Sequence, residues 1–200
     1  LIVIAMAVLP RLATAGPSCQ DPSALRTALE GESARADHWN LAWRITYTAL
    51  AAGQIAGAAS GSASHDDTRT LWVGGVKSAL GAAGAWLSPL RIHVPPMSGE
   101  ACDDGATLRA VAERAASDER IAFWTSHIAG LIVNLAGAAV VAELTSWKTG
   151  LVSFALGYPI GLISTYTMPR ASWRRVREPS WTAGVVATPD HYALVVGGAF

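Results

Sequence analysis

Cys19-Gln-Asp-Pro-Ser-Ala-Leu-Arg-Thr-Ala-Leu-Glu30 and Cys102-Asp-Asp-Gly-Ala-Thr-Leu-Arg-Ala-Val-Ala-Glu113 decide how this chain is read. The two stretches align without a gap: Cys19 with Cys102, Asp21 with Asp104, Leu25 with Leu108, Arg26 with Arg109 and Glu30 with Glu113. They also hold the only two cysteines of the 200 residues. The pattern reads as an internal duplication in which each half opens on the same phrase and carries its cysteine at the same place.

Working outward, each phrase starts an amphipathic helix. Asp21-Pro22 suits an N-cap followed by proline in the first turn, and Asp103 or Asp104 serves the second copy. Leu25, Ala28 and Leu29, and likewise Leu108, Val111, Ala112 and Ala115, recur at helical spacing. Two long apolar segments follow each helix. They run from Trp39 to Ser60 and Leu71 to Leu90 in the first half, and from Ile121 to Ala142 and Thr149 to Pro169 in the second. All four approach the ~20 residues that a membrane-spanning helix needs. Gly53 with Gly57, and Gly157 with Gly161, supply the small-residue spacing of close helix packing.

The expected fold is therefore an all-α membrane bundle. Four long apolar helices form two pseudo-symmetric hairpins, each preceded by a short amphipathic helix. Period-two alternation through Tyr192, Leu194, Val196, Gly198 and Phe200 adds a C-terminal β-hairpin. The organisation read from this is a signal peptide with a truncated start over 1–15, a first hairpin repeat over 16–91, a second over 92–169, and a basic linker with hairpin tail over 170–200. An eight-stranded barrel is the competing architecture, but the apolar stretches lack turn residues at every tenth position.

The first residues set the compartment. Leu1 to Pro10 is a short apolar run, and Ala13-x-Ala15 follows it as a cleavage site, the pattern of an export signal. Cysteines in an oxidising space pair, so a Cys19–Cys102 disulfide is expected to clasp the halves, contributing ~4 kcal/mol through the long loop it closes. The destination is a cell-envelope membrane, inner or outer. Four spans after a cleaved signal would put Arg170, Arg174, Arg175 and Arg177 on the exported side, against the usual distribution of basic residues.

Chemistry is sparse. The formal net charge is zero, which argues against nucleic acid as a partner, since displacing phosphate counterions takes a basic stripe. HExxH, GxSxG, P-loop and GxGxxG motifs are absent, so no enzymatic activity, metal or cofactor is assigned. His65-Asp66-Asp67 reads as a solvated turn. The candidate polar residues inside the apolar segments are Arg44, Gln54, Lys77, His127 and Asn134. His127 and Asn134 share a stripe with Trp124, Gly130 and Leu131, and in a bilayer they would need partners from neighbouring helices.

Besides a minor third, an intramembrane enzyme using His127, two functions are compatible with this reading. One is an integral envelope protein with a structural or interaction role, whose partners are the lipid bilayer and another membrane protein or a second copy. The other is a small transporter, channel or lipid-binding protein with a polar site between the hairpins.

Overall fold

The computed structural model describes residues 21–177, 181–188 and 191–198. The expected signal peptide and Cys19 lie outside the described residues, as do Pro189-Asp190 and Phe200.

Five helices are present: α1 (Ser23–Ala59), α2 (His65–Leu87), α3 (Ala101–Leu144), α4 (Trp147–Thr167) and α5 (Ala171–Arg177). Two strands follow, β1 (Trp181–Thr188) and β2 (His191–Gly198), paired antiparallel with Trp181 opposite Gly198 and Thr188 opposite His191. α1 packs along α2, and α3 along α4; α2 and α5 both lie against α3.

Two parts of the expected fold are corrected. The short amphipathic helices are not separate elements, because each continues without a break into the apolar segment behind it. α1 thus runs for 37 residues and α3 for 44, about 55 and 66 Å of helix. Polarity changes near residues 38 and 120, but no proline stands in either helix, and propagating an existing helix is far easier than nucleating a second one. Nor are there four membrane-spanning helices. Among the described residues, only α3 is long and apolar enough to cross a membrane by length and composition. The other three dilute their apolar content with Ala, Gly, Ser and Thr, and α1 and α2 also carry Arg44 and Lys77.

The turns explain the hairpins. Gly61 takes a φ of 68°, a conformation that a side chain disfavours, and Ser64 then caps α2 by accepting from Asp67 N–H at 3.2 Å. Ser146 caps α4 by accepting from Thr149 N–H at 3.2 Å. Pro159 sits inside α4 without ending it.

After α2 the chain returns along α1 as an extended segment, residues 88–100, where Pro95-Pro96 rules out helix. Side chains of α1 hold it at seven-residue steps. Asn40 donates to Leu90 O at 2.7 Å and accepts from Leu90 N–H at 3.1 Å. Ser33 Oγ donates to Ile92 O at 2.8 Å, and Arg26 Nη1 to Pro95 O at 3.3 Å. The segment ends at Gly99, with a φ of 96°. There Asp104 reaches back from the first turn of α3, accepting from Ser98 N–H at 2.7 Å, Ser98 Oγ at 2.9 Å and Gly99 N–H at 3.1 Å. These bonds, the Ser98 N–H above all, hold the Asp104 carboxyl below the ordinary carboxylate value.

The two halves of the bundle differ in what they bury. At the amino-terminal ends of α1 and α3, Leu29, Ile92, Leu108, Ala112 and Ala115 form one apolar core. Ala36, Leu90, Phe123 and Met168 form a second one next to it. Farther along, large apolar side chains face outward. Apart from Met97, every exposed large apolar residue among those described falls between Leu41 and Leu87 or between Ile121 and Tyr166. Trp86 and Trp124 stand at the inner border of this belt, and Trp72 and Trp147 at the outer, beside the charged turns holding Asp66, Asp67, Arg69, Glu143 and Lys148.

Candidate functional site

Of the five polar residues singled out in the apolar segments, the structure brings two together. Lys77 extends from α2 into the contact between α3 and α4. Its ammonium donates to Ser153 Oγ at 3.1 Å, Ser153 O at 3.4 Å and Asn134 Oδ1 at 3.5 Å. Asn134 is itself oriented by donating from Nδ2 to Gly130 O at 2.8 Å. The site exists because two glycines leave room for it. A Cβ on Gly137 would strike the aliphatic stem of Lys77, and one on Gly157 would lie 3.0 Å from Lys77 Nζ and press on Asn134 Oδ1. Three oxygens surround the ammonium, and every one is neutral.

The remaining candidates lie elsewhere. Gln54 accepts from Ser78 Oγ at 3.3 Å between α1 and α2, with its amide against Gly74. Arg44 donates from Nε to Ala85 O at 3.0 Å and covers the Trp86 ring at 4.7 Å, so its charge lies at the end of α2. His127 stacks on Phe123 at 6.2 Å and meets Trp124 and Tyr166 edge-on, with its Nδ1 buried and lacking a hydrogen bond. Four separate places are occupied, not one cavity. Glycine-paired packing follows suit: Gly57 accepts Leu71, Gly75 accepts Ile55 and Gly81 accepts the Tyr47 ring.

A second polar centre lies about four helical turns nearer the start of α3. Glu32 of α1 and Glu119 of α3 are both fully buried beneath α5. Glu32 accepts from Ser172 Oγ in a very short hydrogen bond and pairs with Arg175 Nη2 at 2.7 Å. Glu119 accepts from Trp173 N–H at 2.8 Å, and its other oxygen is buried without a partner. Loss of hydration pushes the Glu119 carboxyl above its ordinary value; the Trp173 N–H opposes this and the neighbouring Glu32 charge adds to it.

A signal for this pair was present in the chain. Leu25, Leu29, Glu32 and Ala36 recur at helical steps, as do Leu108, Ala112, Ala115, Glu119 and Phe123. Each glutamate thus sits in the middle of an apolar stripe, where a solvated charge has no place.

The expected disulfide involves one described residue. Cys102 is exposed in the first turn of α3, and among the described residues no cysteine is free. Nor does any group of three or more His, Cys, Asp or Glu among them have the arrangement to hold a metal ion. Among the described residues, hydrogen bonding and charge placement gather in two centres about 22 Å apart along α3. The chain matches no protein-family model, no curated protein and no solved structure.

Proposed function

We propose that this protein is a non-enzymatic membrane protein of the cell envelope, with a structural or interaction role, whose apolar end is seated in lipid and whose α5-capped end projects into water. The observation that carries this reading is the belt of outward-facing apolar side chains. Contiguous exposed apolar surface on this scale is costly in water and marks contact with lipid or protein. From Trp72 to Trp86 the belt covers ~21 Å of α2, and from Trp124 to the end of α3 at Leu144 ~30 Å, the second matching the ~30 Å hydrocarbon core of a bilayer. Tryptophans at both borders suit the head-group regions. In this arrangement α3 crosses through its charge-free stretch, 121–142.

Export and a Cys19–Cys102 clasp belong to the same proposal. They are supported by the apolar leader-like run at residues 1–10 and by the absence of a free cysteine among the described residues. Packing of Leu25 and Leu29 with Leu108 and Ala112 favours the clasp further, because it sets the starts of α1 and α3 side by side.

Expression of the full chain followed by carbonate extraction tests the membrane reading. The protein is expected in the pellet, and recovery as a carbonate-soluble monomer refutes the proposal. The second function, passage of a solute between the hairpins, draws on Lys77 standing among α2, α3 and α4. Flux through liposomes containing wild type or Lys77→Met separates the two: flux equal to empty vesicles supports the structural role, and flux abolished by the substitution supports transport.

A further inference from the structure

Where the apolar belt meets the polar end, α1, the end of α4 and α5 enclose a half-open cleft of about 420 Å³. Three arginines line it, Arg35, Arg170 and Arg174, together with Trp39, Tyr166 and Met168; no carboxylate does. We propose that this cleft binds the phosphate of an anionic lipid head group at the edge of the membrane, an inference that rests on the membrane reading above.

Four observations support it. First, the positive charge is unspent. Arg35 and Arg174 are exposed and make no ion pair among the described residues. Second, the carboxylates beneath α5 do not line the cleft: Glu32 bonds to Arg175 and Ser172, and Glu119 accepts from the Trp173 N–H. Acidic side chains line a different cleft, where Glu30 and Asp37 stand beside His93.

Third, Arg170 is held in place with donor capacity to spare. Its guanidinium lies 4.8 Å from the Phe123 ring and 5.8 Å from that of Tyr166, and Nη2 donates to Tyr166 O at 3.3 Å. Its Nε is buried and has no hydrogen-bond partner. Guanidinium groups suit phosphate because their planar forks present two parallel donors to two oxygens. Fourth, the position fits a lipid better than a soluble anion. Tyr166 belongs both to this cleft and to the exposed apolar belt, and Ile163 stands exposed one turn before it. Acyl chains of a lipid bound by its phosphate would therefore run along the apolar surface of α4. Trp39 fixes this edge by donating from Nε1 to Ser164 O at 3.2 Å, tying α1 to α4.

The test counts lipids retained by the full-length protein in detergent micelles, using native mass spectrometry with phosphatidylglycerol or phosphatidylcholine added. Wild type is expected to retain phosphatidylglycerol in preference. Arg35→Gln/Arg170→Gln/Arg174→Gln is expected to lose that preference at least tenfold, whereas Arg109→Gln/Arg114→Gln/Arg120→Gln, an equal charge change on the exposed face of α3, keeps it. Circular dichroism checks that both variants are folded. Should the cleft variant unfold, the single change Arg174→Gln is read in its place, with a threefold loss expected. Retention equal to wild type in a folded cleft variant overturns the proposal. So does displacement of the lipid by millimolar inorganic phosphate, which would assign the cleft to a soluble anion. Because binding is read in micelles, it can fail while carbonate extraction succeeds, and the two readings are separately exposed.

Discussion

Glu32 is closed off by a guanidinium and a hydroxyl brought by α5, whereas Lys77, among α2, α3 and α4, is met only by the neutral oxygens of Asn134 and Ser153. The difference separates two uses of a buried charge. At the polar end the carboxylates recruit a helix. α5 has seven residues, too few to be stable alone, and three of its first five reach Glu32 or Glu119. At the apolar end the ammonium recruits nothing; it fills a gap that glycines on α3 and α4 leave open. Removing a partner should therefore be costly at one end, and removing the charge itself tolerable at the other.

The largest effect is expected from Arg175→Met. It leaves the fully buried Glu32 carboxylate without its counter-charge, and because Arg175 is itself 43 % exposed, solvent offsets part of the loss. A destabilisation of about 2–3 kcal/mol is expected, read by thermal unfolding in micelles. Glu32→Gln in the same chain should recover part of it. An unchanged melting temperature for Arg175→Met would remove the basis of the comparison.

Next comes Gly137→Leu, which drives a side chain into the Lys77 stem and should cost about 2 kcal/mol by overpacking. Lys77→Met, by contrast, replaces the ion with an apolar chain of similar volume and should stay within about 1 kcal/mol of wild type. A Lys77→Met loss as large as that of Arg175→Met would mean that both ends use charge alike.

The pH dependence sharpens the contrast within the polar end. Glu119 has a raised pKa in the folded protein, so its contribution is fully present below the ordinary value of 4.5 and fades as pH rises through the raised one. Asp104 has a lowered pKa, so its contribution is present above the ordinary 3.8 and is lost as pH falls through the depressed one. Unfolding curves of Glu119→Gln should accordingly lose the decline on the alkaline side of pH 4.5, and those of Asp104→Asn the decline on the acid side of 3.8. The smallest effect belongs to Arg26→Gln, which breaks an exposed pair with Glu30 at 2.7 Å and a bond to Pro95 O; no more than about 1 kcal/mol is expected.

Local periodicity made part of this molecule legible in advance. The four apolar stretches coincide with α1 to α4, overrunning the ends of α1, α2 and α4 by one to three residues, and the partner that Asn134 needs is Lys77, one of the candidate polar residues. What escaped depended on continuity and on third parties. Nothing between residues 31 and 38 breaks a helix, so the boundary drawn there rested on polarity, which backbone hydrogen bonding ignores. Glu32 and Glu119 lay on apolar stripes, but the element that satisfies them, α5, is distant in the chain and short. Arg44, Gln54 and His127 share a composition class with Lys77. They part from it because helix rotation, which sequence spacing fixes only within one helix, points them at different neighbours.

The returning segment has a mechanical consequence. Its anchors on α1, Arg26, Ser33 and Asn40, repeat every two helical turns, so sliding α1 by a single turn would break all of these bonds at once. The bonds along the segment are expected to be lost together rather than one by one. Proteolysis near Pro95-Pro96 should therefore begin at one sharp denaturant concentration.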